Sequence, residues 1–133
     1  MTVFIDTSAF LAYLNRADRY NASAVSMWQA LLHDEERILC NNYVLVETIA
    51  LLQHRFGLDA VRSLQDNILP LVATSWLDES DHRQAVTTLL TANRRQLSLV
   101  DCSAIVTLRA LGIKRVFTFD AHFDDYGFER VPQ

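Results

Sequence analysis

Four acidic residues occupy positions in the sequence that point to metal chemistry. Asp6 follows the apolar run VFI, Asp120 follows VFTF, Asp101 lies in SLVDCSA, and Glu47 lies in the helical pattern YVLVETIALLQHRF. If these carboxylates converge in the fold, they supply the hard oxygen ligands that Mg²⁺ or Mn²⁺ prefers. A cation held in this way can generate a hydroxide nucleophile and stabilise the leaving oxygen of a phosphodiester.

Three of these acids also have purely local explanations. Aspartate is a favoured N-cap, so Asp6 and Asp101 can simply accept hydrogen bonds from the first N–H groups of the helices that follow them. Asp120, before AHFDDYG, can be a turn residue. The neighbouring hydroxyl groups either orient a carboxylate or a metal-bound water, or are ordinary helix-start residues: Thr7, Ser8 and Ser103.

Glu47 lies on a predicted helix that is apolar on nearly every side, so we expect this helix to be buried. An ionised carboxylate in such a place is costly unless it is paired with a cation. The expected partner is either a metal ion or a basic side chain, such as His54, Arg55 or an arginine distant in sequence.

The elements that must position these acids alternate along the chain, as in βαβ units with a parallel sheet. Strands are predicted at Val3–Ile5, Ile38–Cys40, Leu71–Ser75, Val116–Phe119 and, more weakly, Phe128–Val131, and Leu97–Leu99 can be a short extended run. Helices are predicted at Ser8–Asn15, Ser23–His33, Tyr43–Phe56, Asp59–Ile68, Ser80–Asn93 and Ser103–Leu111, the last stopped by Gly112. The pattern predicts a three-layer α/β/α sandwich with a central parallel sheet, in which ligands bind beyond the carboxyl ends of the strands.

Length and composition fit a single domain over residues 1–133. Half of the residues are hydrophobic, and the chain has only three glycines and two prolines. The formal net charge of −4 is not the basic balance that is typical of nucleic-acid-binding domains. Bound divalent cations would reverse the local charge at an acidic cluster, so the net charge does not exclude such a ligand.

Cysteine usage and hydropathy indicate a cytoplasmic, soluble protein. Cys40 and Cys102 lack the spacing of a metal site, so we expect buried, reduced thiols. Asp6 interrupts the stretch where a signal peptide needs apolar residues, and the most apolar run, Tyr43–Leu52, is too short to span a bilayer and contains Glu47.

Four segments of the chain, taken in order, resemble the PIN domain, and most closely the VapC-type toxin ribonucleases of type II toxin–antitoxin modules. They are FIDTSAF, NNYVLVETIALL, RRQLSLVDCSAIVTLRALGI and RVFTFDAHFDDYGFERV, and the resemblance runs essentially from end to end. It implies a PIN-like fold and a metal-dependent endoribonuclease, in which a water activated by Mg²⁺ or Mn²⁺ attacks an RNA phosphodiester in line.

By this resemblance the acidic quartet of the family corresponds to residues that the sequence already singled out: Asp6, Glu47, Asp101 and Asp120. Asp124 is expected to join them as a ligand, either through a water or in place of Asp120, whereas Asp125 is expected at the surface. No histidine is required as a base. His122 is the only histidine near the site in sequence and is expected to be a surface or partly buried residue.

The sequence indicates RNA contacts and protein partners less clearly than it indicates the acidic site. Candidates for a basic rim that binds phosphates, or else for solvated helix ends, are Arg16, Arg19, Arg94 and Arg95. The nearly all-apolar helix around Glu47 favours a homodimer, and the resemblance implies an antitoxin protein that covers the active-site groove. Two alternatives stay open: a PIN-type nuclease outside toxin–antitoxin systems, acting in RNA processing or on structured DNA, and a non-catalytic PIN-like module that binds RNA or protein.

Overall fold

Five short strands rich in β-branched and aromatic residues form one parallel sheet in the computed structural model, which describes residues 1–133. The strands are β1 (Thr2–Ile5), β2 (Arg37–Asn41), β3 (Ala73–Ser75), β4 (Arg115–Phe117) and β5 (Glu129–Val131), in the order β3-β2-β1-β4-β5. β1 lies at the centre, where Phe4 pairs with Leu39 of β2 and with Val116 of β4. Parallel strands need cover on both faces, and the side chains of the central strands β1, β2 and β4 are mostly buried, whereas those of the edge strands β3 and β5 are partly exposed.

Six α-helices connect the strands: α1 (Thr7–Leu14), α2 (Asn21–His33), α3 (Asn42–Phe56), α4 (Leu58–Ser63), α5 (Glu79–Ala92) and α6 (Leu99–Leu111). The connections that contain α1 to α4 step from β1 towards β3, whereas the connection with α5 and α6 returns from β3 to β4. Right-handed crossovers therefore place these two groups on opposite faces of the sheet. The predicted three-layer α/β/α sandwich with a parallel sheet is confirmed.

All five predicted strands are present, but several boundaries were wrong. The strand predicted from Leu71 begins only at Ala73, because Pro70 belongs to a turn of 3₁₀ helix over Leu69–Leu71. The strand predicted at Val116–Phe119 is Arg115–Phe117. The helix predicted to reach Ile68 ends at Ser63 and continues as a turn of π-helix over Leu64–Ile68.

The largest correction concerns α6, which begins at Leu99 and not at Ser103. Ser98 is its N-cap, and Ser98 and Asp101 form a capping box in which each side chain accepts a hydrogen bond from the other residue's backbone N–H. The predicted extended run Leu97–Leu99 is therefore a helix start. The stop at Gly112 is confirmed, with a left-handed φ of 67°.

α3 is less buried than its apolar sequence predicted. Val44, Thr48 and Leu52 face the core, but Val46 is 70% exposed and Phe56 is 49% exposed in the single chain. The expectation of a helix buried all round was wrong for the monomer, because the sheet covers only one side of it.

Cys40 and Cys102 are free, buried thiols. None of the helices combines the length and the apolar character needed to cross a membrane.

Candidate metal centre

The predicted acids lie at the carboxyl edge of the sheet, around the point where the strand order reverses. β1 connects to β2 on one side, while β4 lies on its other side, so the loops after β1 and β4 open a crevice between them. Asp6 directly follows β1, and Asp120 follows β4 by three residues. Glu47 and Asp101 reach the same edge from α3 and α6.

Asp6 is fixed by hydroxyl groups. It is 4% exposed, and its Oδ2 accepts hydrogen bonds from Ser8 Oγ and from Thr118 Oγ1, both at 3.0 Å. Asp6 occupies the N-cap position of α1, but its side chain makes no capping hydrogen bond. The explanation of Asp6 as an ordinary cap was therefore wrong, and the predicted role of Ser8 in orienting a carboxylate is seen directly in the geometry.

Asp101 and Asp120 do serve the local roles that the sequence left open. Asp101 Oδ2 accepts from the Ser98 N–H at 3.1 Å in the capping box, and Asp120 Oδ1 accepts from the His122 N–H at 2.9 Å. The Thr118 hydroxyl accepts from the Asp120 N–H at 3.0 Å and so ties this loop to Asp6. Because an ionised carboxylate has about four acceptor sites, these bonds orient both groups and leave room for a cation.

Glu47 has no basic partner. None of the nine ion pairs of the chain involves Glu47, so pairing with His54 or Arg55 does not occur. Its pKa is raised, chiefly by burial and then by the charges of Asp101 and Asp120, while a hydrogen bond from Thr7 opposes the increase. The Thr7 hydroxyl is itself held by Thr48, which donates to it at 3.2 Å.

The electrostatics of the remaining acids show that they share one unneutralised site. Burial, followed by the charge of Asp101, raises the pKa of Asp6 to about 6, against the hydrogen bonds from Thr118 and Ser8. Burial also raises the pKa of Asp101, and the charge of Asp120 adds to this increase, whereas the Ser98 hydrogen bonds and the charge of His122 oppose it. A divalent cation would relieve both the repulsion and the desolvation.

His122 completes the cluster from the 3₁₀ helix Ala121–Tyr126. Its Nδ1 lies 3.2 Å from Asp120 Oδ1 and 3.6 Å from Asp101 Oδ2. That nitrogen is buried and has no hydrogen-bond partner. One ligand atom from each of Asp101, Asp120 and His122 falls within 4.8 Å of the others. The group suits a divalent cation, because Nδ1 makes no hydrogen bond and neither carboxylate has a lysine or arginine partner. Asp6 and Glu47 lie outside this group, and each is coupled to it by charge, Asp6 to Asp101 and Glu47 to Asp101 and Asp120.

Ser103 lies elsewhere than predicted. Its hydroxyl donates to the Val100 carbonyl at 2.6 Å and accepts from the amide of Asn41 at 3.2 Å, so it does not contact the carboxylates. Asn41 also donates to Thr107 and accepts from the Val44 N–H as the cap of α3. This buried asparagine joins the helices that carry Glu47 and Asp101, a role that no local sequence pattern indicates.

Asp124 is not part of the group formed by Asp101, Asp120 and His122. It accepts a hydrogen bond from Arg130 Nε at 2.8 Å. The pKa of Arg130 is raised, chiefly by this bond and further by the charges of Asp124 and Asp120. Arg130 therefore lies within the field of the acidic cluster, and the sequence analysis missed it because nothing near β5 marks it as special.

The four arginines predicted to bind phosphates are all exposed, and none forms an ion pair with the quartet. Arg94 pairs with the surface residue Asp125 at 2.9 Å, and Arg19 stacks over the Tyr20 ring at 4.6 Å. Arg16 and Arg95 have no ion-pair partner within the chain. A basic rim made of these residues stays a prediction.

The sequence and the fold are similar to those of known proteins. The family model described as the PIN domain matches residues 3–129. The 23S rRNA-specific endonuclease VapC20 of Mycobacterium tuberculosis is 28% identical over 130 residues, which are 97% of each chain. Its crystal structure, described as that of a sarcin-ricin loop cleaving toxin, superposes with a TM-score of 0.84 over 95% of both chains.

Two more distant structures share the fold. FitAcB from Neisseria gonorrhoeae is 18% identical, with a TM-score of 0.68 over 98% of this chain and 96% of that one. VapBC2 from Rickettsia felis, bound to a DNA fragment from its promoter, is 14% identical, with a TM-score of 0.68 over 98% of this chain and 97% of that one.

Proposed function

The chain belongs to the PIN domain family, and from that premise we propose that it is a Mg²⁺- or Mn²⁺-dependent endoribonuclease that acts as the toxin of a type II toxin–antitoxin pair. The observation that carries the proposal is the convergence of Asp6, Glu47, Asp101 and Asp120 at the strand-order reversal, without a lysine or arginine to neutralise them. A structural acidic cluster would have acquired a basic partner, whereas a metal site must leave that place open.

Each residue of the site has a defined task in this proposal. Asp101 and Asp120 would hold the cation together with the buried Asp6, and Glu47 would approach it from α3. A bound divalent cation supplies the Lewis acid that activates water and neutralises charge on the phosphodiester. The hydroxyls of Ser8 and Thr118 keep Asp6 in one orientation, so little reorganisation is needed when substrate arrives.

The substrate is proposed to be ribosomal RNA, and specifically a stem-loop. Support comes from the relative named a 23S rRNA-specific endonuclease, because the similarity covers 97% of both chains and includes the segments that carry all four acids. Arg130, in the field of Asp120, is suited to bind a phosphate of the RNA backbone next to the site.

Two protein partners are part of the proposal. The resemblance to toxin chains implies an antitoxin that covers the groove. A second copy of this chain would account for large apolar side chains that the monomer leaves exposed, and those more than two-thirds exposed, apart from Met1, are Val46, Trp76 and Leu90. Light scattering across a range of protein concentrations would test the homodimer.

The test of the proposed function is cleavage of end-labelled RNA by the purified chain. Substrates would be 23S rRNA, a hairpin that contains the sarcin-ricin loop, the same stem with a scrambled loop, and the DNA version of the hairpin. We expect one cut in the first two substrates with Mg²⁺ or Mn²⁺, and none with EDTA. Cleavage of all hairpins alike would contradict the proposed substrate but keep the nuclease, and cleavage of the DNA hairpin would favour a nuclease outside toxin–antitoxin systems.

If the chain does not cleave RNA, its melting temperature with and without Mn²⁺ distinguishes a metal site from a non-catalytic binding module. A live site gains stability when metal relieves the repulsion between its carboxylates, so Mn²⁺ is expected to raise the melting temperature. A chain that neither cuts RNA nor gains stability with Mn²⁺ would instead be a non-catalytic binding module.

A further inference from the structure

His122 is the one feature of the site that a purely carboxylate metal centre does not explain. Its ring is placed against Asp101 and Asp120, and its Nδ1 is buried without a hydrogen-bond partner. A buried nitrogen without a partner carries a free-energy cost, so a residue whose only task was packing would be expected to avoid this placement. Nδ1 lies at ion-pair distance from both carboxylates but makes no hydrogen bond, so a cation bound between the three groups would satisfy it.

The distances around Nδ1 are those of neighbouring ligands on one cation. In an octahedral site with bonds of about 2.1 Å, adjacent ligand atoms are about 3.0 Å apart. Nδ1 lies 3.2 Å from Asp120 Oδ1 and 3.6 Å from Asp101 Oδ2, so little movement is required for all three atoms to bind one ion.

The two oxygens are already oriented by backbone donors. The Ser98 N–H holds Asp101 Oδ2, and the N–H of His122 itself holds Asp120 Oδ1. The Asp120 carboxylate and the imidazole thus belong to one locally rigid turn, which fixes their relative position before any cation binds.

We propose that His122 is a nitrogen ligand, through Nδ1, of the divalent cation held by Asp101 and Asp120. The proposal rests on the metal-dependent function proposed above and adds a specificity to it. Imidazole favours transition-metal ions, whereas Mg²⁺ prefers oxygen donors, so His122 shifts the selectivity of the site away from Mg²⁺ and towards Mn²⁺ and Co²⁺.

The direct test uses the intact protein loaded with Mn²⁺ alone. Electron spin-echo envelope modulation is expected to show coupling of the Mn²⁺ electron spin to a coordinated ¹⁴N, and incorporation of ¹⁵N-histidine is expected to change that signal. This measurement needs no variant, so it does not depend on whether a substitution disturbs folding.

Two substitutions test the selectivity. His122→Leu removes the donor and is expected to weaken Mn²⁺ binding about tenfold, with a smaller loss for Mg²⁺, as measured by titration calorimetry. His122→Asn places an oxygen near the position of Nδ1, so it is expected to retain Mg²⁺ binding and to lose the ¹⁴N signal from imidazole. His33→Leu is the matched control, because His33 is exposed and its side chain pairs only with Asp34.

The outcomes separate this proposal from the proposed function. Native protein that binds Mn²⁺ and cleaves RNA, but shows no histidine nitrogen coupling, would overturn the role of His122 and leave the nuclease intact. Equal Mn²⁺ affinities for His122→Leu and His33→Leu would overturn it as well. Failure of the native chain to bind Mn²⁺ and to cleave RNA would overturn both.

Discussion

Buried carboxylates are paired with an arginine at one edge of the sheet and have no lysine or arginine partner at the other. At the amino edge, Glu36 precedes β2, and its side chain, 15% exposed, accepts a hydrogen bond from Arg115 Nη1 at 3.0 Å. At the carboxyl edge, Asp6 is more deeply buried and Asp101 is buried to a similar degree as Glu36, yet no lysine or arginine lies within 4.0 Å of either. The first edge is neutralised by the chain itself, whereas the second is left for a cation from outside.

This difference gives a physical criterion for a functional acid. Burial alone does not identify one, because Glu36 is also largely buried. A functional acid is one that is buried, held by hydroxyl or backbone donors, and left without a basic partner, so that the fold tolerates repulsion which a ligand relieves.

The largest expected effect comes from substitutions that remove acids at the carboxyl edge of the sheet and leave the fold intact. Asp6→Asn and Asp101→Asn are expected to reduce RNA cleavage about a thousandfold, because each removes a charge that holds the cation. The amide oxygen can still accept from Ser8 and Thr118, or from Ser98, so the metal-free melting temperature should stay the same or rise. Glu36→Gln is the control and should keep activity within about twofold while losing stability. If either aspartate variant kept more than about a tenth of the native cleavage rate, that residue would not belong to the metal site.

A second prediction concerns how stability changes with pH. Burial and the charge of Asp101 raise the pKa of Asp6 from its ordinary value of 3.8 to about 6 in the folded protein. The unfolded state therefore loses this proton first as the pH rises. Folding stability should therefore fall between about pH 4 and pH 6, by about 3 kcal/mol from Asp6 alone. Urea unfolding without metal, at pH 4 and at pH 7, would measure the change.

The variant that checks this assignment is again Asp6→Asn, which is expected to flatten the pH dependence. Mn²⁺ should oppose the fall, since it binds the deprotonated site. An Asp6→Asn protein with the same pH dependence as the native chain would show that other groups set it.

The third prediction concerns the ion pair between Arg115 and Glu36 at the amino edge of the sheet. Arg115→Met is expected to lower the free energy of unfolding by about 2 kcal/mol, because it leaves the largely buried Glu36 with only the N-terminal ammonium, 3.8 Å away, as a partner. Arg62→Met, which removes an exposed pair with Asp59, should cost less than about 0.5 kcal/mol. Urea titration at pH 7 would compare them, and equal losses would mean that burial adds nothing to the Glu36 pair. RNA cleavage should persist in both variants.

The smallest expected effect concerns the rim of the carboxyl edge. Arg130→Met should raise KM for RNA by roughly fivefold and reduce the salt dependence of binding by about one phosphate contact, with a small change in kcat. Arg37→Met, at the amino end of β2, is the matched control on the opposite edge and should change neither. A loss confined to kcat would place Arg130 in the chemistry and not in substrate binding.

The sequence was sufficient for the features that depend on local order. A run of apolar residues followed by an acid predicted both the strand and the position of Asp6 at its end, and the same pattern located Asp120. Parallel strands align their carboxyl ends, so the fold class alone places both residues at the same edge of the sheet. That β1 and β4 are neighbours, which brings the two residues together, is seen only in the structure. The capping box of Ser98 and Asp101 was also readable, since its partners are three residues apart, but it was overlooked, and α6 was therefore predicted to start four residues late.

Other features of the site were decided by tertiary structure alone. Thr118 donates to Asp6 across 112 positions of the chain, and Asn41 binds Ser103 across 62. Nothing in the local pattern distinguishes these residues from other buried polar side chains. The absence of a basic partner for Glu47 likewise depends on where each arginine side chain lies in the folded chain.

The sequence by itself thus determined the order of the elements, the acids at their ends and, through the resemblance, the family. Only the tertiary structure decided which hydroxyls hold Asp6, which acids stay without a basic partner, and that His122 Nδ1 is buried beside Asp101 and Asp120. The physical reason is range: hydrophobic period and capping act over a few residues, whereas hydrogen bonding and charge pairing depend on distances in space that a local pattern does not encode.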